Sequence, residues 1–197
     1  GRARDLVAGH RRYVFTMGSR PARQLSAAGG RNAMNAASLR RDESSKPLPP
    51  TAGELVAINL ALQSRQLIGA MRELHDAMSG NPAVLDAADL WLALEARLAL
   101  GATRLSPAIA MPHARSKSVS RLLFSMGRSA DGIEVDSTSP GVRLVFLVVA
   151  PPDHISEYLR FIAGLSRFLR QPGRLAALRG ANTDAEVRTL LRDRVVR

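Results

Sequence analysis

A chain of 197 residues is long enough for one domain of ordinary size with a tail left over, and 46% apolar residues can fill a core. Aromatics are only 4%, so that core must rest on aliphatic side chains and Met, and the aromatic platforms that read single-stranded nucleic acid are lacking. Cysteine is absent, which excludes disulfides, thiolate nucleophiles and cysteine-ligated zinc and fits a reducing cytoplasm, while a net charge of +11 makes the placement of that charge the next question.

Residues 1–50 hold ten Lys/Arg against three Asp/Glu, a net +7, so residues 51–197 carry only +4. This first segment is rich in Arg, Ser, Gly and Ala, shows no sustained apolar period, and ends in the breaker cluster KPLPP. It reads as a basic, disordered tail. A nucleic-acid arm is the functional alternative, with salt-sensitive binding as its signature, and a solvated tail is preferred over it. The segment starts with Gly, with Met17 and Met34 downstream, so part of it reads as a fragment or an overextended frame. Positive charge here is not followed by a continuous apolar stretch, so no secretory signal is expected.

After the prolines, Leu55 to Leu62 (LVAINLAL) is strand-like by its β-branched and apolar content, and Ser64 is placed to cap a helix. Leu67, Ile68, Met71, Leu74 and Met78 recur at helical spacing, and Gly80-Asn81-Pro82 stops the pattern. His75 falls beside this stripe without a second ligand at metal-binding spacing, so it reads as an ordinary helix histidine. Asp86 caps a second helix whose stripe is Leu90, Leu94 and Leu98 and which Gly101 ends; Trp91 beside it is assigned to packing. Then come AIAMPHARS (residues 108–116), strand-like runs at Arg121 to Gly127 and Val142 to Ala150, and a turn-rich stretch between those two containing DG and SP. The run from Val142 is uniformly apolar, as a strand covered on both faces should be. The longest apolar run, Leu144 to Pro152, is far short of the roughly 20 residues that span a bilayer. An amphipathic helix follows, with Tyr158, Leu159, Ile162, Leu165 and Leu169 on one face and Pro172-Gly173 at its end, and a last helix opens on the capping box Thr183 to Glu186. The expected fold is a single α/β (α+β) sandwich over residues 51–197, a mixed β-sheet flanked by helices on both sides.

Of four histidines, only His113 comes directly after a proline, at the end of a strand-like run. Taken with INLALQSRQLIGAM, LWLALEARLALGAT, VRLVFLVVAPP and EYLRFIAGLSRFLR in their order, AIAMPHARS gives residues 55–195 a resemblance to the enzyme IIA domain of the fructose, mannitol and nitrogen-regulatory class of the phosphoenolpyruvate-dependent phosphotransferase system. The resemblance implies that His113 is the phosphorylated histidine, attacking through Nε2, with Arg97 and Arg115 at the family's arginine positions. It implies a cytoplasmic phosphotransferase and an HPr-type phosphocarrier as donor. The acceptor is an enzyme IIB, or else a regulated target addressed through the phosphorylation state. No metal or organic cofactor, no membrane span and no nucleic-acid partner are expected. Imidazole suits a phosphoryl relay because it attacks at neutral pH and leaves again, and cations near it stabilise the charge on the transferring group. Pro112 limits how far the ring can wander.

Three features depart from the family pattern. GATRLSPA keeps Gly101 and Thr103 but puts Arg104, Ser106, Pro107 and Ala108 where a glycine-rich turn is usual, and Pro107 removes an amide donor. Tyr158 stands at the family's second active-site histidine; a phenol donates a hydrogen bond but carries no imidazolium charge. His154 lies four residues earlier, and Arg104 and Lys117 add charge near the motif. These departures keep a second reading open, a binding module of the same fold that regulates a partner without phosphoryl transfer. No IIB, IIC or HPr-like segment is read in the 197 residues, which favours signalling over sugar uptake.

Overall fold

The computed structural model describes residues 53–135 and 141–192. The basic segment 1–50 and the SP turn lie outside the described residues.

The elements run β1 (Glu54–Asn59), α1 (Leu67–Met78), α2 (Ala87–Ala99), β2 (Arg104–Ser106), β3 (Ile109–Ala110), β4 (His113–Arg115), β5 (Leu123–Ile133), β6 (Val142–Ala150), α3 (Ile155–Leu169), α4 (Arg174–Gly180) and α5 (Asp184–Arg192). They build a mixed six-stranded sheet in the order β1-β5-β6-β3-β2, with β4 also pairing β6. β1 is parallel to β5, β5 antiparallel to β6, and β3 and β4 are both parallel to β6.

The apolar run of β6 is explained by its position. Leu144, Phe146, Val148 and Ala150 face a core closed by Phe161, Leu165 and Phe168 of α3, Leu178 of α4, and Val187 and Leu191 of α5. Val145, Leu147 and Val149 face the opposite core, closed by Ala70, Met71, Leu74 and Met78 of α1 and Leu90 and Leu94 of α2. A strand buried on both sides cannot alternate with polar residues. Burying each of these large apolar side chains contributes about 1.5–3 kcal/mol.

Sequence and structure part company at several points. Ser64 does not cap α1: its Oγ accepts from Gln66 N at 3.1 Å and donates to Gln66 O at 3.0 Å, and the helix starts beyond that local turn. Ile68 is exposed, and Ala70 and His75 take the buried positions of α1 instead. Asp86 does cap α2, accepting from Asp89 N at 2.9 Å. β5 continues through Asp131-Gly132 rather than ending at Gly127; the dipeptide makes a bulge between Arg128 and Ile133, for which Gly132 supplies a φ of 92°. On α3 the buried residues are Phe161, Leu165, Phe168 and Leu169, while Leu159 is 58% exposed. α4 is a helix that the sequence pattern does not announce, since its seven residues give too short a period to read. Thr183 Oγ1 accepts from Glu186 N at 3.2 Å, and the Glu186 carboxylate reaches back one residue further than a standard capping box, to Asn182 N at 2.7 Å.

Candidate functional site

The segment AIAMPHARS forms two short strands because of Pro112. Without an amide hydrogen the proline cannot join the ladder, so β3 stops at Ala110 and β4 begins at His113, while Met111 N donates sideways to Thr103 O at 2.8 Å. Pro112 O still accepts from Val148 N at 3.0 Å, and His113, Ala114 and Arg115 pair with Val148, Val149 and Ala150. Ala114 is buried in the sheet; His113 is half-buried and Arg115 exposed.

His113 lies in a cleft of about 720 Å³ between the last turns of α2 and the first of α3. The cleft is lined by Arg97, His113, Arg115 and Tyr158, with apolar Leu100, Ile155 and Leu159 around them. The structure thus brings together all four residues singled out from the sequence. Leu159 lines this cleft rather than the core. Leu100, Ile155 and Leu159 are 83%, 47% and 58% exposed, so the histidine sits within an apolar rim open to solvent.

His113 Nδ1 lies 3.0 Å from the Met111 carbonyl oxygen. A carbonyl only accepts, so Nδ1 carries the proton, and in the neutral ring Nε2 then has the free lone pair. Burial lowers the His113 pKa below its ordinary value; the Met111 contact opposes this, and the positive charges of Arg97 and Arg115 reinforce it. The ring is therefore held neutral at physiological pH. The Tyr158 ring centroid is 5.8 Å from that of His113, at a 44° tilt. Burial raises the phenol's pKa against the pull of the same two arginines, so Tyr158 is a neutral hydrogen-bond donor.

Arg97, in the last turn of α2, is fixed by two bonds, Nη1 to Gly101 O at 3.0 Å and Nη2 to Thr103 Oγ1 at 3.2 Å. Gly101 reaches that position because its φ is 115°, in the left-handed region that ends the helix. Arg115 has no partner among the described residues. Thr103 and the Met111 carbonyl are the supports that reading motifs does not weight: one holds the arginine, the other the tautomer.

The other candidates fall outside the cleft. Pro107 and Ala108 form the turn between β2 and β3, where Ala108 N donates to Ser106 Oγ at 3.3 Å, so the amide missing at Pro107 is missing from that hairpin and not from the histidine cleft. Arg104 and Lys117 do not line the cleft, and neither does His154, whose Nδ1 is 3.0 Å from Glu157 Oε2. His75 is buried, with both ring nitrogens engaged. Among the described residues no group of three or more His, Asp or Glu is arranged to hold a metal ion, and no helix is long and apolar enough to cross a membrane.

The described residues thus set a half-buried histidine, with one nitrogen unbonded, in an arginine-lined cleft on a mixed sheet with helices on both faces. Residues 52–194 match the family described as phosphoenolpyruvate-dependent sugar phosphotransferase system, EIIA 2, and the chain belongs to that family. Among solved structures, the nitrogen regulatory protein IIA-Ntr of Neisseria meningitidis is similar at 23% identity and a TM-score of 0.62, over 69% of this chain and 96% of that one. The IIA mannitol protein of Escherichia coli is similar at 19% identity and a TM-score of 0.57, over 68% and 94%. The enzyme IIA mannitol in the Escherichia coli complex with phosphorylated enzyme IIB mannitol is similar at 20% identity and a TM-score of 0.60, over 70% and 94%. These likenesses are in fold. No curated protein matches the chain in sequence.

Proposed function

We propose that residues 51–197 form a phosphocarrier in which His113 accepts a phosphoryl group from the phosphohistidine of an HPr-type protein. The observation that carries this reading is the bond from His113 Nδ1 to Met111 O, which leaves Nε2 unprotonated beside two arginines. The Nε2 lone pair attacks phosphorus, the donor's N–P bond breaks, and the electron pair of that bond leaves with the donor imidazole. Nδ1 keeps its proton throughout, so no general base is required. Charge on the transferring group is met by Arg97, pre-oriented by Gly101 and Thr103, and by Arg115, with the Tyr158 hydroxyl as a neutral donor.

Phospho-His113 then either passes the group to an enzyme IIB or signals to a regulated target by its own state. We favour the regulatory role. The solved complex of enzyme IIA mannitol with phosphorylated enzyme IIB mannitol supports the first course and the fold likeness to IIA-Ntr the second. Tyr158 favours the alternative of a binding module without transfer, because it supplies no charge.

The test is transfer of radiolabel from phosphoenolpyruvate, through enzyme I and HPr-type proteins of the sugar and nitrogen branches, to this chain and to His113→Ala. Acid-labile label on the parent alone is the expected result, and the better donor names the branch. No label from either donor on the folded parent rules out the carrier and leaves the binding module.

A further inference from the structure

A second cleft, of about 510 Å³, opens at the other end of β6 from His113. Three arginines line it, Arg128 from β5, Arg143 near the start of β6 and Arg179 near the end of α4, with Gln63, Ser129 and Asn182 among them. Arg128 is fixed in place: Nε donates to Leu60 O at 3.1 Å, and Nη1 donates to Arg179 O at 2.8 Å and to Ala181 O. Arg143 Nη1 donates to Ala130 O. Arg128 Nη2, the rest of the Arg143 fork and the whole Arg179 guanidinium have no partner among the described residues. The one carboxylate lining the cleft, Asp131, is bonded to Arg65 at 3.0 Å in an exposed pair. Glu186, just outside, accepts from Asn182 N.

Guanidinium groups gathered in one concavity repel one another, and an anion that accepts from their open N–H groups removes the repulsion. A planar fork matches the oxygens of a phosphate better than any other common anion except a carboxylate, and binds them bidentately. The volume falls within the range of about 300–1,000 Å³ typical of small-molecule sites. We propose that this cleft is a second ligand site, separate from His113, for a small phosphate-bearing molecule. Phosphate could also arrive on a nucleic-acid strand, but a concavity of this volume suits a small molecule.

The proposal is tested by residue-resolved NMR titration of the whole chain, at physiological salt, with inorganic pyrophosphate, with glucose 6-phosphate and with a single-stranded oligonucleotide. Saturable shifts at the amides of Arg128, Gly180 and Asn182 are expected with one or both small phosphates, and equally in His113→Ala. Arg143→Ala and Arg179→Ala should each weaken binding roughly tenfold or more. The Arg179 side chain makes no bond within the described fold, so Arg179→Ala reads binding and not folding. The proposal is overturned if neither small phosphate shifts these amides, if the shifts vanish in His113→Ala, if both arginine variants bind as the parent does, or if the oligonucleotide binds there more tightly than either small phosphate.

Discussion

The surroundings of His75 and of His113 show the same side chain in two conditions. On α1, His75 is 4% exposed, with Nδ1 3.0 Å from Asp76 Oδ1, Nε2 2.8 Å from Ala87 O, and the edge of Trp91 at 5.4 Å between ring centroids. Both ring nitrogens lie within hydrogen-bonding distance of an acceptor, and Nε2 ties α1 to the start of α2. On β4, His113 has one nitrogen bonded to the Met111 carbonyl just before the strand and one left open, in a cleft with two cations and no carboxylate in its lining. A saturated histidine is a fastening; a histidine with one unfilled position and a tautomer fixed from behind can take part in chemistry.

The strongest way to break that contrast is to delete each ring in turn. His113→Ala should abolish phosphoryl acceptance and cost no more than about 1 kcal/mol of stability, since it removes one hydrogen bond from a half-buried site. His75→Ala should do the reverse, costing about 2 kcal/mol or more by stranding Ala87 O and emptying space beside Trp91, while labelling at His113 persists. Denaturant unfolding and radiolabel transfer on the two variants check both halves. Equal labelling of parent and His113→Ala would sink the assignment.

The two arginines sharpen the same contrast at a smaller scale. Arg115→Gln should slow acceptance by about ten- to a hundredfold without altering stability, because its guanidinium holds nothing else among the described residues. Arg97→Gln should slow it by a similar factor and also loosen the turn after α2, since Gly101 O and Thr103 Oγ1 lose their donor. Rapid-quench transfer rates set against unfolding midpoints separate the two cases. Matching stability losses in both variants would mean that Arg115 has a fastening that the fold does not show.

How much of this was legible in the sequence follows from which interactions are periodic. β6 was read to the residue because burial on both faces makes its apolar run continuous and its ends abrupt. α2 was read from its Asp86 cap to its glycine because both signals are local in sequence. β2 escapes the sequence reading, and the run before and through His113 reads as one strand rather than as β3 and β4, because two or three residues carry no period. Ile68 and Leu159 were assigned to buried stripes because hydropathy does not distinguish a leucine facing the core from one lining a cleft beside it. At the site, Arg97, His113, Arg115 and Tyr158 were reached through a family resemblance. The Met111 carbonyl that fixes the tautomer leaves no trace in the sequence, since every residue has one.

Tyr158 gives a still smaller effect. Its hydroxyl is a neutral donor on a ring whose centroid lies 5.8 Å from that of His113, so Tyr158→Phe should slow acceptance by about tenfold, the worth of one hydrogen bond, and leave the pH profile unchanged. Tyr158→His should add a second ionisation to that profile. A Phe variant as fast as the parent would leave Tyr158 a packing residue.

The smallest effect is in the pH dependence of folding. Burial, with Arg97 and Arg115, holds the His113 pKa below its ordinary value, against the pull of the Met111 carbonyl. In the unfolded chain the ring protonates near pH 6.5, whereas in the folded protein it does so only at lower pH. Between these two points the unfolded state binds more protons, so stability rises with pH there. The contribution is fully present above the unfolded pKa and is lost as pH falls through the window down to the folded one. Denaturant unfolding from pH 7.5 downward should therefore show the parent losing more stability than His113→Ala, by less than about 1 kcal/mol for a group this exposed. Arg115→Gln should narrow the difference by letting the folded pKa rise. The NMR titration of the His113 ring locates the lower edge of the window directly. Parallel pH curves for parent and His113→Ala would mean that the cleft does not perturb the ring, and phosphoryl acceptance would then fall off as pH drops through about 6.5, as for an ordinary exposed histidine.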